Sequence, residues 1–206
     1  MKQVFLSAGI PSKTELPWGA TADPMLIHSA VRSLCTLVFG HKRIVWGGQP
    51  AITPMMWAAC ENLGIDYAST VHLYQSRFFA DAFPEENALF NNVTFVDAGP
   101  DRASSLSSMR KEMFKNEFEA GVFIGGKDGI LDEFDMFRAV NPKAGVVVLT
   151  STGGAAKELG EKYPELSSPG GDFIDYLSYM AGFIDVTGPK RKPKPKQAPR
   201  RARRSK

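Results

Sequence analysis

Apolar residues fall along this chain in short blocks, VFL at 4–6, IVW at 44–46, VFI at 122–124 and VVVL at 146–149, bounded by glycine, proline or charged residues. Blocks that are apolar at consecutive positions predict strands buried on both faces. Between them the spacing becomes helical. Met25, Ile27, Ala30, Val31, Leu34, Leu37 and Val38 suit a helix packed on a sheet, capped by Asp23, opened by Pro24 and ended by Gly40. Thr53 and Pro54 repeat the cap-plus-proline start for a helix through Leu63 that ends at Gly64.

In chain order the pattern predicts strands at 2–6, 43–46, 67–75 (YASTVHLYQ), 93–98 (VTFVDA), 121–126 (GVFIGG) and 145–154 (GVVVLTSTGG). Helices are predicted after the first two strands and near 78–88, 101–117, 130–140, 154–163 and 172–183. The stretch between the first strand and Asp23, SAGIPSKTELPWGATAD, reads as a loop or lid. Strands alternating with helices predict an α/β fold, a Rossmann-like three-layer sandwich with a mostly parallel sheet. Right-handed crossovers bring the strand C-termini to one edge, where such sheets bind ligands.

The length of 206 residues fits one domain, with a body predicted over 1–186. Charge then changes the picture. From Lys190 onward there are ten basic residues and no acid, so of the 25 Lys and Arg only 15 remain in the body against all 22 acids, a formal −7. The tail, 187–206, reads as disordered, because proline and like charges cannot build a core. Its charge suits nonspecific contact with nucleic acid or a solubilising role. No run approaches the roughly 18 apolar residues of a membrane span, and the first apolar run is short for a secretion signal, so a cytoplasmic protein is expected. Cys35 and Cys60 lie in apolar helical segments and read as reduced, buried thiols. His28, His41 and His72 have no partner at metal-ligand spacing, so neither metal nor cofactor is expected.

The candidate chemistry sits where strands run into glycines. In GVFIGGKDGILDEF, residues 121–134, Gly125 and Gly126 turn the chain directly into a helix, whose first amides can hold an anion, and Lys127 adds a charge. Such a diglycine can equally be only a turn. VWGGQPAITP presents Gly47, Gly48 and Thr53 in the same way, and TSTGGAAK presents Ser151, Thr152, Gly153 and Gly154. With Ser7, Ala8 and Gly9 after the first strand, these turns are expected to line one cleft for phosphates and ribose. Arg77 also lies near the expected edge, where it could hold a second phosphate or simply be solvated.

IVWGG…TPMMWAA together with SSMRKEMF…AGVFIGGKDGILDEF resembles the SLOG superfamily, named for the DprA (Smf) proteins and the LOG enzymes, over about residues 2–160. LOG enzymes are phosphoribohydrolases of nucleoside monophosphates, with a signature Pro-Gly-Gly-x-Gly-Thr-x-x-Glu behind an arginine-bearing helix. The resemblance aligns Gly125, Gly126, Gly129 and Glu133 with that signature and Arg110 with the arginine, which implies catalytic roles for Arg110 and Glu133. Read as plain helix residues, Glu133 would be a first-turn acid favoured by the dipole and Arg110 a cover for apolar surface. Ile124 replaces the signature proline, Ile130 the threonine, and Lys127-Asp128 lengthens the turn. The resemblance therefore implies a sensor of a nucleotide or NAD/ADP-ribose-derived signal, within a homo-oligomer, with the phosphoribohydrolase as the alternative.

Overall fold

The computed structural model describes residues 2–64, 70–168 and 174–187. Among these, six strands form one parallel sheet: β1 (Gln3–Gly9), β2 (Arg43–Trp46), β3 (Val71–Ser76), β4 (Val93–Val96), β5 (Phe118–Gly125) and β6 (Gly145–Leu149). Their order across the sheet is β4-β3-β2-β1-β5-β6. The strands need apolar residues on both faces because both faces are covered. Val4, Leu6, Ile44, Trp46, Val122 and Ile124 pack with α2 (Pro24–Val38), α3 (Thr53–Leu63) and α7 (Tyr176–Ala181). The intervening Phe5, Val45, Phe123 and Val148 pack with α4 (Arg102–Met113), α5 (Asp128–Val140) and α6 (Gly154–Lys162). Phe5 stacks on Phe137 at 5.6 Å and meets Phe114 edge-on at 4.9 Å, fixing β1 between α4 and α5. The three-layer Rossmann-like fold is thus present, with a sheet parallel throughout.

Local signals account for most boundaries. Asp23 accepts from the amides of Met25 at 2.8 Å and Leu26 at 3.1 Å, so α2 starts where its cap places it. The start of α3 differs from expectation: Thr53 is the first helical residue, not the cap. Ile52 is the cap residue and lends no side-chain bond; Gln49 before it supplies the acceptors, its side-chain oxygen taking the Ile52 amide at 3.1 Å and its carbonyl the Thr53 amide. The stretch 78–88 forms two short 3₁₀ segments, Arg77–Ala82 and Glu85–Leu89, because Pro84 holds Phe83 extended. β1 continues to Gly9, and the following loop carries the short helix α1 (Trp18–Thr21). β5 begins at Phe118, earlier than its apolar run, since Glu119 is held by Lys42 at 2.7 Å and by the Asp185 amide at 2.9 Å.

Residues 67–69 and 172–173 of the predicted elements, and the tail from 188, lie outside the described residues. The described body closes with Ile184 buried and Val186 packed on the core. From β1 the chain moves outward through β2, β3 and β4, then returns through α4 to β5 on the other side of β1. That reversal opens a crevice at the carboxyl ends of β1 and β5.

Candidate functional site

A cleft of about 420 Å³ occupies this crevice, within the range of small-molecule sites. Its floor is the end of β1 from Leu6 to Pro11, the β2 turn from Trp46 to Pro50, and the β5 turn with the start of α5, Gly126 to Ile130. One wall is α4, through Arg102, Leu106, Met109 and Arg110. Phe79, Ala82, Phe83 and Pro84, from the segment after β3, form an apolar wall.

The β5 turn is fixed from several sides. Gly125 and Gly126 have φ of 57° and 69°, a left-handed conformation that favours glycine. A side chain would collide there with Ile27 at 2.5 Å or Ile130 at 2.0 Å. The Gly126 amide donates to the Gly9 carbonyl at 2.7 Å, and the Gly126 carbonyl accepts from Ala155 at 2.9 Å. Helix α5 follows at Asp128, so this residue belongs to the first helical turn and does not extend the loop. The amides of Lys127, Asp128 and Gly129 have no partner among the described residues, leaving donors at the helix start. Lys127 pairs with Glu15 from the β1–α1 loop, and that contact holds the Glu15 carboxyl below its ordinary range.

Deeper in the cleft Arg110 and Glu133 bind each other. Arg110 is nearly buried, and its three guanidinium nitrogens donate to Glu133 Oε1 at 3.2 Å, Asp132 Oδ2 at 2.9 Å and the Gly129 carbonyl at 3.2 Å. Ser7 Oγ donates to the other Glu133 oxygen at 2.6 Å. Burial raises the Glu133 pKa, and the Arg110 charge and the Ser7 hydrogen bond only partly offset it. Asp132 completes the fork around Arg110.

The model of the SLOG cluster3 family matches residues 17–183, a span that takes in the β2 turn, the Arg110 helix and the β5 turn. The chain belongs to the SLOG family. Comparison with curated proteins gives no match. Among solved structures, TM1055, a structural-genomics target solved by X-ray diffraction, is similar in fold with a TM-score of 0.56, covering 89% of this chain and 100% of its own at 16% identity.

In this SLOG chain Ser7, Ala8, Gly9, Gly47, Gly48, Arg110, Gly126, Lys127, Gly129 and Glu133 all line the cleft. Gly125 lies just beneath, buried by Ile27 and Gly9, and Thr53 is wholly buried beneath the β2 turn. The third glycine turn does not reach the cleft. Thr152 is buried and holds the Gly125 amide at 2.9 Å, Ser151 bonds the Tyr176 hydroxyl at 2.9 Å, and Gly153 and Gly154 press against Thr21 and Gly126. That turn supports the β5 turn from behind. Arg77 stands outside the lining, paired with Asp97 at 3.6 Å and over the Phe95 ring. Trp18 is tied to Glu158 at 2.8 Å and is not offered to a ligand.

Glu15, Gln49, Gln75, Phe79, Phe83 and Arg102, absent from the residues the sequence patterns single out, also line the cleft. Arg102 alone carried a usable signal, since Arg102, Leu106, Met109 and Arg110 recur at the spacing of one helical face. The others come from loops, or from a strand end, that only the fold brings here.

Proposed function

We propose that this SLOG domain binds a nucleotide or an NAD/ADP-ribose-derived signal in the cleft and acts as a sensor. The observation that carries this reading is the closed bonding of Arg110 and Glu133 beside an anion-accepting helix start. Both Glu133 oxygens and all three Arg110 nitrogens are engaged by protein groups, so the pair reads as a scaffold that positions Gly129 and the α5 turn. Phosphate would lie on the amides of Lys127, Asp128 and Gly129, next to the Lys127 ammonium. The apolar wall of Phe79, Phe83 and Pro84 would take the base.

The phosphoribohydrolase reading is favoured by one observation, the raised pKa of Glu133 at the cleft, because a carboxyl poised in that way can serve as a general acid. Chromatography after incubation with nucleoside monophosphates and NAD separates the two. The sensor releases no free base. Free adenine or nicotinamide from wild type, absent with Glu133→Gln, establishes the hydrolase.

The body over 1–186 is proposed to fold alone, supported by the buried Ile184 near its end. The ten basic residues after 189 support tail contact with nucleic acid. Removing 187–206 is expected to leave the melting temperature in place and abolish salt-sensitive DNA binding. A homo-oligomer remains part of the proposal, read by sedimentation.

A further inference from the structure

Among the described residues three cations line the cleft: Arg102, Arg110 and Lys127. Two are neutralised within the protein, Arg110 by Glu133 and Asp132 and Lys127 by Glu15. The Arg102 side chain is exposed and makes no ion pair or hydrogen bond among the described residues. Its position does not serve the helix that carries it. As the first residue of α4 it puts positive charge at the positive end of the helix dipole, where acids stabilise and cations do not. The helix start is already capped by Asp101, which accepts from the Ser104 amide at 2.7 Å, so a further anion brought beside it would be favoured by the guanidinium.

The geometry of α4 sets the separation. Arg102 lines the cleft on the same helical face as Leu106, Met109 and Arg110. Arg110 bonds to the Gly129 carbonyl at 3.2 Å, which places that end of the face against the anion-accepting start of α5. Eight residues back along the helix, about 12 Å at about 1.5 Å per residue, stands Arg102. The cleft therefore has a donor-lined end at α5 and an unpaired guanidinium toward its other end.

We propose that Arg102 is a second anion anchor, and that the ligand is a nucleotide with two acidic groups separated by at least one sugar, such as a nucleoside bisphosphate or a dinucleotide. This assignment rests on the nucleotide-binding reading and narrows its ligand class.

Calorimetry of the full chain tests it, with adenosine 5′-monophosphate, adenosine 3′,5′-bisphosphate and a 5′-phosphorylated adenine dinucleotide as probes. Wild type should bind one of the two-anion probes about tenfold or more tightly than the monophosphate, the scale of a charge-assisted contact. Arg102→Gln should erase that margin and leave monophosphate affinity unchanged, while Arg102→Lys should restore part of it. A melting temperature unchanged or slightly raised is expected, since the Arg102 side chain has no partner to lose among the described residues and its charge opposes the α4 dipole. The assignment is overturned if wild type shows no margin, if the margin survives in Arg102→Gln, or if Arg102→Gln weakens the monophosphate equally, as a guanidinium stacked on the base would. In those cases monophosphate binding still stands and the nucleotide reading survives. If no probe binds wild type, both fail together.

Discussion

Ser7 at the end of β1 donates its hydroxyl to Glu133 on α5 at 2.6 Å, so the central strand and the helix of the β5 turn are joined across the switch point of the sheet. The same carboxylate meets Arg110 of α4 at 3.2 Å. Three elements distant in sequence therefore share one largely buried polar network in the cleft.

Loss of one member should destabilise the fold more than a surface change does. Arg110→Ala leaves Glu133 buried without its counter-charge and is expected to cost about 3 kcal/mol. Ser7→Ala removes one hydrogen bond to the same carboxylate, at about 1 to 3 kcal/mol. Urea denaturation reads both as lowered midpoints at constant slope, with Arg110→Ala the lower. A midpoint for Arg110→Ala equal to wild type would show that the pair does not hold α4 and α5 together.

The raised Glu133 pKa fixes the sign of a pH dependence. The folded protein holds this proton more tightly than the unfolded chain, so the group favours folding below the ordinary carboxyl value of 4.5. That contribution is lost as pH rises through the raised pKa. Glu133→Gln lacks the titration. Its melting temperature relative to wild type should therefore climb as pH rises above 4.5 and through the raised pKa. A flat difference over that range would contradict the raised pKa.

Glu15 occupies the position beside Lys127 that a ligand phosphate would take, and its lowered pKa keeps it charged at neutral pH. Glu15→Gln should tighten binding of adenosine 5′-monophosphate several-fold by freeing the lysine. Lys127→Ala should weaken it by about 1.5 to 3 kcal/mol. Calorimetry at fixed salt checks the pair. Equal affinities in all three proteins would remove the phosphate from the α5 start.

Cys35 and Cys60 are fully buried, and burial pushes the Cys60 thiol to about 12 and the Cys35 thiol well above its ordinary value. With so little thiolate, neither should react with a thiol reagent at pH 8 in the folded protein. Both should react fully in denaturant. Rapid labelling of native protein would show that α2 and α3 open locally.

The sequence by itself determined the six strands and the longer helices that cover them, because apolar runs ending in glycine suit strands covered on both faces and Asp23-Pro24 marks a helix start, whereas α1 and the 3₁₀ segments after β3 escaped it. It also determined the cleft glycines, since Gly126 must adopt a conformation that side chains resist. Only the tertiary structure decided which turns share the cleft. The turn at 150–154 looks like the others in sequence, yet α6 packs it behind the β5 turn, where Thr152 serves as a brace. Arg77 and Arg102 are likewise equivalent as residues after strands. Asp97 and Phe95 engage the first, whereas the path of α4 from β4 to β5 carries the second into the cleft. Local preference acts over a few neighbouring residues, while side-chain partners are chosen by strand order, and β1 pairs with β5 across more than a hundred intervening residues.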